Sequence, residues 1–313
     1  FGITRASGQA KGENVSGVGD EGTIHLRGKQ LHLIAGDEGV GVSTGKALAQ
    51  SGNVPLIIEN DFGKGKAMFL NVEISRYPYE RLQANAATSL PEVMEGVFGL
   101  AGIEPRVKVV DAKGQRLAGT EIVRFANGDC EHIAIFRNPQ FDDGGWGDLP
   151  TLKAPGWAGK IDNSFLETPA NVTVSWASPM QTYDIRGRKD LGVVENCQAV
   201  LSPWEPLVFT LASNAIPQLQ LDAPASVGAG HPLRIVLHSA STLPGGAFRV
   251  VRLEFITPAG QSYSLYARNL LIKSTPHSEI IPLAHNELAG RWLVRAHDLM
   301  TGDVVEKPYT VQG

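Results

Sequence analysis

Two nearly continuous apolar runs lie close together in the first third of the chain, separated by residues typical of a tight turn. The runs are residues 55–58 and 67–70, and Gly63 and Gly65 stand between them. Glycine supplies the positive φ angles that a tight chain reversal needs, so the pattern predicts a β-hairpin. Because the apolar residues do not alternate with polar ones, we expect both faces of these strands to be covered.

The segments around this hairpin predict part of an α/β layer. We expect a loop over residues 1–20, one or two short strands over residues 22–35, and turns over residues 37–53 with one helical turn near residues 46–50. Apolar residues recur at helical spacing over residues 80–100, and Pro91 favours two helices that meet at Ser89 and Leu90. Strands followed by a helix imply a helix packed on a sheet.

Beyond Pro105 the pattern changes to short strands with turns between them. Strand-like runs occupy residues 107–110, 120–125, 132–136, 172–176, 182–185 and 207–211. Turns are predicted at Asn127-Gly128 and Arg186-Gly187, and this spacing is typical of an antiparallel β-sandwich. A long segment, residues 138–164, is inserted between two of these strands, and insertions of this length commonly carry function.

Residues 215–217 predict a linker to a second β part. Its strand-like runs are residues 233–238, 248–256, 262–267, 279–283, 292–296 and 304–311. Six or seven such strands predict an immunoglobulin-like sandwich without the Cys–Trp–Cys core of antibody domains. We therefore predict a mostly β, α+β chain with a partial α/β domain (residues 1–104), an antiparallel β-sandwich (residues 105–214) and an immunoglobulin-like sandwich (residues 215–313).

Composition narrows the classes of partner. The 313 residues are 42% hydrophobic and 19% charged, so the chain can bury substantial cores. Its formal net charge is −4. A pI near 6.1 and the lack of a basic run argue against a nucleic-acid partner. No apolar stretch reaches the roughly 20 residues that span a bilayer. The chain begins with Phe1 rather than Met, so we expect it to be a piece of a longer protein.

The only two cysteines, Cys130 and Cys197, allow either one disulfide bond or two reduced thiols, and reduced buried thiols are the favoured interpretation. Cys130 stands two residues before His132, which places both on one face of a strand. That spacing permits a thiol–imidazole pair for nucleophilic catalysis. A core cysteine beside a partly exposed histidine is the favoured interpretation of this pair too.

No catalytic residue, metal ligand or cofactor site is assigned from the sequence. Residues 39–46 depart from the phosphate-loop spacing and predict a glycine-rich turn. The histidines lack the spacings of metal sites. Paired carboxylates can hydrolyse glycosides, but we interpret Glu59 and Asp61, like Asp142 and Asp143, as turn or strand-end residues.

The inserted segment is the strongest candidate contact surface. It contains Phe141, Asp142, Asp143, Trp146 and Trp157. Exposed tryptophan rings stack on sugar rings, and acids beside them accept hydrogen bonds from hydroxyl groups. These five residues are therefore candidates for contact with a carbohydrate or a partner. The alternative is that the tryptophans pack the segment onto its own sandwich or onto a neighbouring subunit.

The hairpin and its flanks resemble a known family. Residues 60–71, followed by Ile74-Ser75-Arg76-Tyr77, resemble the end of the glutamine-amidotransferase-like domain of β-galactosidase-type glycoside hydrolases, called the trimerisation domain in that family. Phe1-Gly2-Ile3 is similar to a segment in the middle of that domain, and residues 172–211 resemble the small β-domain that follows it. Residues 290–292 and 298–302 resemble immunoglobulin-like modules at the ends of large bacterial surface or secreted proteins.

The resemblance implies a non-catalytic role, because the family's catalytic glutamates lie in a TIM barrel that precedes this region. We expect an assembly or accessory region of a glycoside-hydrolase-like protein, with no cofactor, secreted or at the periplasm or cell surface. Its partners would be further copies of itself or a catalytic barrel, with carbohydrate as another possible ligand. A carbohydrate- or protein-binding sandwich module and a structural subunit of an extracellular assembly are the open alternatives.

Overall fold

The chain is mostly β and divides into two compact units. The computed structural model describes residues 1–5, 22–26, 29–33, 37–51, 53–72, 74, 77, 90–137, 167–239, 241, 243–273 and 276–313. The first unit comprises Phe1–Arg106, Arg116–Thr120 and Asn138–Glu167, and the second comprises Val107–Gln115, Glu121–Arg137 and Thr168–Gly313. The three predicted domain ranges stay a prediction.

The first unit packs a helix on a small antiparallel sheet. Its elements are β1 (Ile3–Arg5), β2 (Gly22–Leu26), β3 (Lys29–Leu33), β4 (Val40–Val42), β5 (Lys46–Ser51), β6 (Val54–Phe62), β7 (Gly65–Leu70) and α1 (Leu90–Leu100). Strands β5, β6 and β7 form one sheet in that order, while β1 pairs with β4 and β2 with β3. Leu56 and Ile57 of β6 form one core with Leu90, Val93 and Val97 of α1.

The predicted hairpin is confirmed. Phe62 pairs with Gly65, so Gly63 and Lys64 make a two-residue turn, and Gly63 has a φ of +60°. Residues 55–58 are buried throughout, as the unbroken apolar run predicted. Leu56 and Ile57 of this run pack in one core with α1, and β6 is the central strand of its sheet.

The structure overturns one prediction near the hairpin and agrees with the predicted start of a helix at Leu90. Residues 46–50 form strand β5 instead of a helical turn, because the buried backbone of β6 needs hydrogen-bond partners along its second edge. Pro91 lies in the first turn of α1, where a missing N–H breaks no helical hydrogen bond. The remainder of the predicted helical segment, residues 80–89, lies outside the described residues.

The second unit is built from strands. Its first sheet contains β8 (Val107–Asp111), β9 (Thr120–Asn127), β10 (Cys130–Arg137), β11 (Ala170–Asp184), β12 (Lys189–Leu201) and β13 (Leu207–Ala212). The order is β12-β11-β13-β10-β9, and β8 also pairs with β11. Residues 172–176 and 182–185, predicted as two strands, belong mainly to the single strand β11. That strand shifts register between Ser175 and Met180, and it pairs with β8 before the shift and with β13 after it.

Strand β12 was not predicted from the sequence. It pairs with β11 from Lys189 to Leu201, yet most of its side chains are exposed or half-buried. Polar residues and Gly192 interrupt its apolar alternation. The fold tolerates them because this strand lies at the edge of the sheet and buries little of its surface.

The second half of this unit is a two-sheet sandwich. Its strands are β14 (Leu219–Asp222), β15 (Ser226–Gly228), β16 (Pro232–Ser239), β17 (Arg249–Ile256), β18 (Arg268–Ile272), β19 (His277–Pro282), β20 (Gly290–Asp298) and β21 (Val304–Gln312). One sheet has the order β14-β16-β19 and the other β15-β21-β20-β17-β18. Inward-facing residues of both sheets share one core around Phe255, Trp292 and Tyr309. Strand β15 pairs with β21 in parallel.

The predicted strand over residues 262–267 is wrong. The segment makes a single bridge, between Ser262 and Ile256, and then turns. Tyr263 and Tyr266 pack into the core from this turn, and the ring of Tyr263 lies 5.4 Å from that of Trp292. The two inward-facing tyrosines therefore gave the segment the apolar pattern of a strand, although its backbone does not pair along a neighbouring strand.

Candidate functional site

The five residues predicted to contact a carbohydrate or a partner, Phe141, Asp142, Asp143, Trp146 and Trp157, lie outside the described residues. That prediction stays a prediction.

The described residues bring together a different set of polar groups, where the first sheet of the second unit meets the sandwich that follows it. We call this region the β junction. It comprises the turn after β9, the chain from Ala212 to Pro217, the start of β17 and the turn after β20.

The favoured interpretation of Cys130 and His132 is confirmed, because Cys130 is a buried free thiol and His132 is half-buried. Cys130 and Cys197 are both free thiols. Burial, with a smaller contribution from Asp129, raises the pKa of Cys130. Burial also raises the pKa of Cys197 to about 11. Both thiols are therefore protonated at neutral pH and are weak nucleophiles.

His132 belongs instead to a hydrogen-bonded chain that ends in the β junction. Its Nδ1 lies 2.9 Å from Oγ1 of Thr210, and its Nε2 lies 3.1 Å from Nδ2 of Asn127. The Asn127 amide also binds the backbone of Phe248, accepting from its N–H at 2.9 Å and donating to its carbonyl at 2.8 Å. Asn127 thereby joins the β9–β10 hairpin to the start of β17.

The two hydrogen bonds to Phe248 fix the orientation of the Asn127 amide. A flipped amide would place its oxygen against the Phe248 carbonyl and its NH2 group against the Phe248 N–H. The second N–H of Asn127 then donates to Nε2 of His132, which must be unprotonated to accept it. The proton of the neutral ring therefore lies on Nδ1 and is donated to Thr210. Burial lowers the pKa of His132, in agreement with a neutral ring.

Gly128 makes a second close contact in the β junction. It has a φ of +58°, and a Cβ atom placed on it would lie 2.5 Å from the backbone nitrogen of Ala247. Gly302, in the turn after β20, approaches the turn between β11 and β12 in the same way. A Cβ there would lie 3.0 Å from the carbonyl oxygen of Ile185. Both contacts require glycine because backbone meets backbone.

A buried ion pair in the same region joins the start of β17 to the end of β20. Nε of Arg249 lies 3.3 Å from Oδ2 of Asp298, and the two side chains are 2% and 0% exposed. Asp298 also accepts hydrogen bonds from the N–H of Met300 and the hydroxyl of Thr301. Burial raises the pKa of Asp298, while Arg249 and these hydrogen bonds oppose the rise. Charges this deeply buried are stable only when paired, and the hydrogen bonds of Asp298 to Met300 and Thr301 hold the turn after β20.

The predicted linker over residues 215–217 is part of this packing. Ile216 is buried, and its N–H donates a hydrogen bond to the Tyr183 hydroxyl at 2.8 Å. The carbonyl of Pro217 accepts a hydrogen bond from Arg249. Cys130 and Met300 contribute to one apolar cluster with Ile216. Hydrogen bonds therefore hold the segment between the two β parts at two consecutive residues, Ile216 and Pro217.

The hairpin motif of the first unit also serves packing. Asn71 is buried and donates to the carbonyls of Asp37 and Pro55, both at 2.9 Å, while its carbonyl accepts from the N–H of Asp37. Lys66, whose side chain is half exposed, donates a hydrogen bond to Glu59 at 2.6 Å. Residues 39–46 lead into a strand rather than a helix, so they lack the helix N-terminus that binds phosphate in a phosphate loop.

One exposed aromatic residue was missed by the sequence analysis. Trp204 lies in the Trp204 loop, which we define as residues 202–206 between β12 and β13, and it is 72% exposed. The next residue, Glu205, forms an ion pair with Arg186 at 3.2 Å. A tryptophan between Pro203 and Pro206 is the sequence signal that could have identified it, because prolines favour turns.

No protein-family model and no curated protein matches this chain. Within the described residues, no group of three or more histidine, cysteine or acidic side chains is arranged to hold a metal ion. No helix among the same residues is long and apolar enough to cross a membrane. The polar geometry of the β junction joins elements of the fold, whereas the Trp204 loop presents an aromatic ring and charges to solvent.

Proposed function

We propose that this chain is a non-catalytic assembly or accessory region of a glycoside-hydrolase-like protein of the β-galactosidase type. The observation that carries the proposal is the structural use of the residues that resemble that family. Asn71, at the end of the hairpin motif, is buried and binds two other segments of the first unit. Lys66 pairs with Glu59 across the hairpin. A motif whose polar residues hold backbone segments together suits a positioning role.

Two finer fold assignments belong to this proposal. The helix α1 packed on the β5-β6-β7 sheet supports assigning the first unit to part of an amidotransferase-like domain. The sandwich of three-stranded and five-stranded sheets, with Trp292 in its shared core, supports an immunoglobulin-like module at the end of the chain.

Aryl glycoside hydrolysis by the purified chain tests this function. We expect no release of nitrophenol from nitrophenyl β-galactoside, β-glucoside or α-glucoside above the buffer rate. Hydrolysis that is abolished by Glu59→Gln or by Asp143→Asn would contradict the proposal, because either carboxylate would then be catalytic. Light scattering at several concentrations provides a second measurement, and a defined oligomer is the expected result.

A second candidate function is a carbohydrate- or protein-binding module, and the exposed Trp204 favours it. A large apolar ring that lies outside the core of its own sheet is available for a ligand. Affinity electrophoresis in gels that contain soluble polysaccharides tests for a carbohydrate ligand, since binding slows the protein relative to a gel without polysaccharide. Retardation that is lost in Trp146→Ala or Trp157→Ala would place the ligand on the inserted segment.

A further inference from the structure

Trp204 differs from the other tryptophans that the structure describes. Trp176 and Trp292 are 5% and 1% exposed and belong to the cores of their sheets, whereas Trp204 is 72% exposed. Its indole ring therefore contributes little apolar burial to folding. Tryptophan is among the residues that contribute most at binding sites when its ring faces solvent before binding.

The backbone around Trp204 is restricted before any ligand arrives. Pro203 and Pro206 flank the Trp204-Glu205 pair and restrict the φ angles on both sides. The N–H of Trp204 donates to the Ser202 hydroxyl at 3.2 Å, which closes a local turn. A loop ordered in advance loses little conformational entropy on binding, so a small contact area suffices for measurable affinity.

The residue after Trp204 adds hydrogen-bonding groups to the loop. The Glu205 carboxylate, next along the chain, pairs with Nη2 of Arg186 at 3.2 Å, and both side chains are largely exposed. Arg186 lies in the turn between β11 and β12, where the N–H of Gly187 donates to Asp184 at 2.8 Å. A guanidinium has five N–H donors and a carboxylate has four lone-pair positions, so one ion pair leaves most of them available.

We propose that the Trp204 loop, together with Arg186, binds a neutral sugar ring of a polysaccharide. A pyranose has an apolar C–H face that stacks on an indole and a rim of hydroxyl groups that both donate and accept hydrogen bonds. Arg186 and Glu205 neutralise each other, which favours hydroxyl groups over a carboxylate or sulfate. A protein partner needs a contact of about 800 Å² per side with an apolar centre, whereas the residues that flank Trp204 in the loop are two prolines and a glutamate. The proposal rests on the binding function given above as the second candidate.

Affinity electrophoresis with matched variants tests the site. The probes are soluble galactan, β-glucan, xyloglucan and dextran, with polygalacturonate as an acidic comparison. We expect at least one neutral polysaccharide to retard the wild-type protein, Trp204→Ala to raise its apparent Kd at least tenfold, and Trp204→Phe to retain most of the affinity. Arg186→Gln should weaken binding less than Trp204→Ala. Phe62→Ala is the control, because Phe62 is a similarly exposed ring, 77% exposed, on the first unit.

The possible failures are distinguishable. No retardation by any neutral polysaccharide overturns both the site and the carbohydrate-binding function. Retardation that survives Trp204→Ala but is lost in Trp146→Ala or Trp157→Ala overturns the site and leaves the binding function in place. Loss of retardation in Phe62→Ala, or preference for polygalacturonate, overturns the site as well, because binding would then be nonspecific or electrostatic. Self-association that Trp204→Ala abolishes in sedimentation equilibrium would assign the ring to a protein contact and also overturn the proposal.

Discussion

Gly128 is subject to two constraints at once. Its positive φ strains any residue with a Cβ atom, and that atom would collide with the backbone of Ala247. We expect Gly128→Ala to lower the free energy of unfolding by about 3 kcal/mol, the sum of backbone strain and overpacking. Gly260 has a φ of +78° with open space around it, so Gly260→Ala carries the strain alone and should cost about 1 kcal/mol. Equal losses for the two variants in guanidinium unfolding would refute the close contact.

His132 makes stability depend on pH. Burial lowers its folded-state pKa below the ordinary value of 6.5, so the unfolded chain binds more protons at acid pH. Its contribution to stability is complete above pH 6.5, falls as the pH drops below that value, and levels off below the folded pKa. We expect the melting temperature of the wild-type protein to fall more steeply from pH 7.5 to pH 5 than that of His132→Gln. Parallel profiles would contradict the neutral ring deduced from Asn127.

A single variant does not remove the whole acid sensitivity, because the pKa of His297 is also lowered, chiefly by burial and then by Arg188. The double variant His132→Gln/His297→Gln should therefore show a flatter profile than either single variant.

At the scale of elements, the β9–β10 hairpin is held to β17 by one amide. Asn127→Ala removes both hydrogen bonds to Phe248 and should cost about 2 kcal/mol or more of unfolding free energy. Asn127→Asp can still accept from the Phe248 N–H but places a carboxylate oxygen against its carbonyl, so we expect a loss at least as large. Asn214→Ala, at an exposed asparagine, is the control and should change stability by less than about 0.5 kcal/mol. A fully stable Asn127→Asp protein would show that the amide does not donate to Phe248.

Elements with strong local signals were predictable from the sequence. The β6–β7 and β9–β10 hairpins follow from glycine at a reversal between apolar runs, although the second turn lies at Gly128-Asp129, one residue later than predicted. Strands β5 and β12 were missed because their positions depend on the neighbours they pair with. The Trp204 loop was missed because exposure of one ring depends on how the strands around it pack.

At the scale of the whole second unit, we expect its two β parts to unfold together. The Ile216–Pro217 segment, Asn127 and Gly128 all connect them. Hydrogen exchange measured by mass spectrometry should give the slowest amides of β13 and β20 similar opening free energies. Gly128→Ala should separate these values by weakening the contact between the parts. Well-separated values in the wild-type protein would show that each part opens independently.

The sequence by itself determined the β-rich character, both hairpins and most strands of the final sandwich, because turn residues and apolar periodicity act over a few neighbouring positions. Tertiary structure alone decided that residues 215–217 are packed, that His132 pairs with Asn127 rather than with Cys130, and that Trp204 faces solvent. Each of these depends on atoms far apart along the chain, such as Asn127 and Phe248. Local patterns carry no information about such distances, which only the packed strands define.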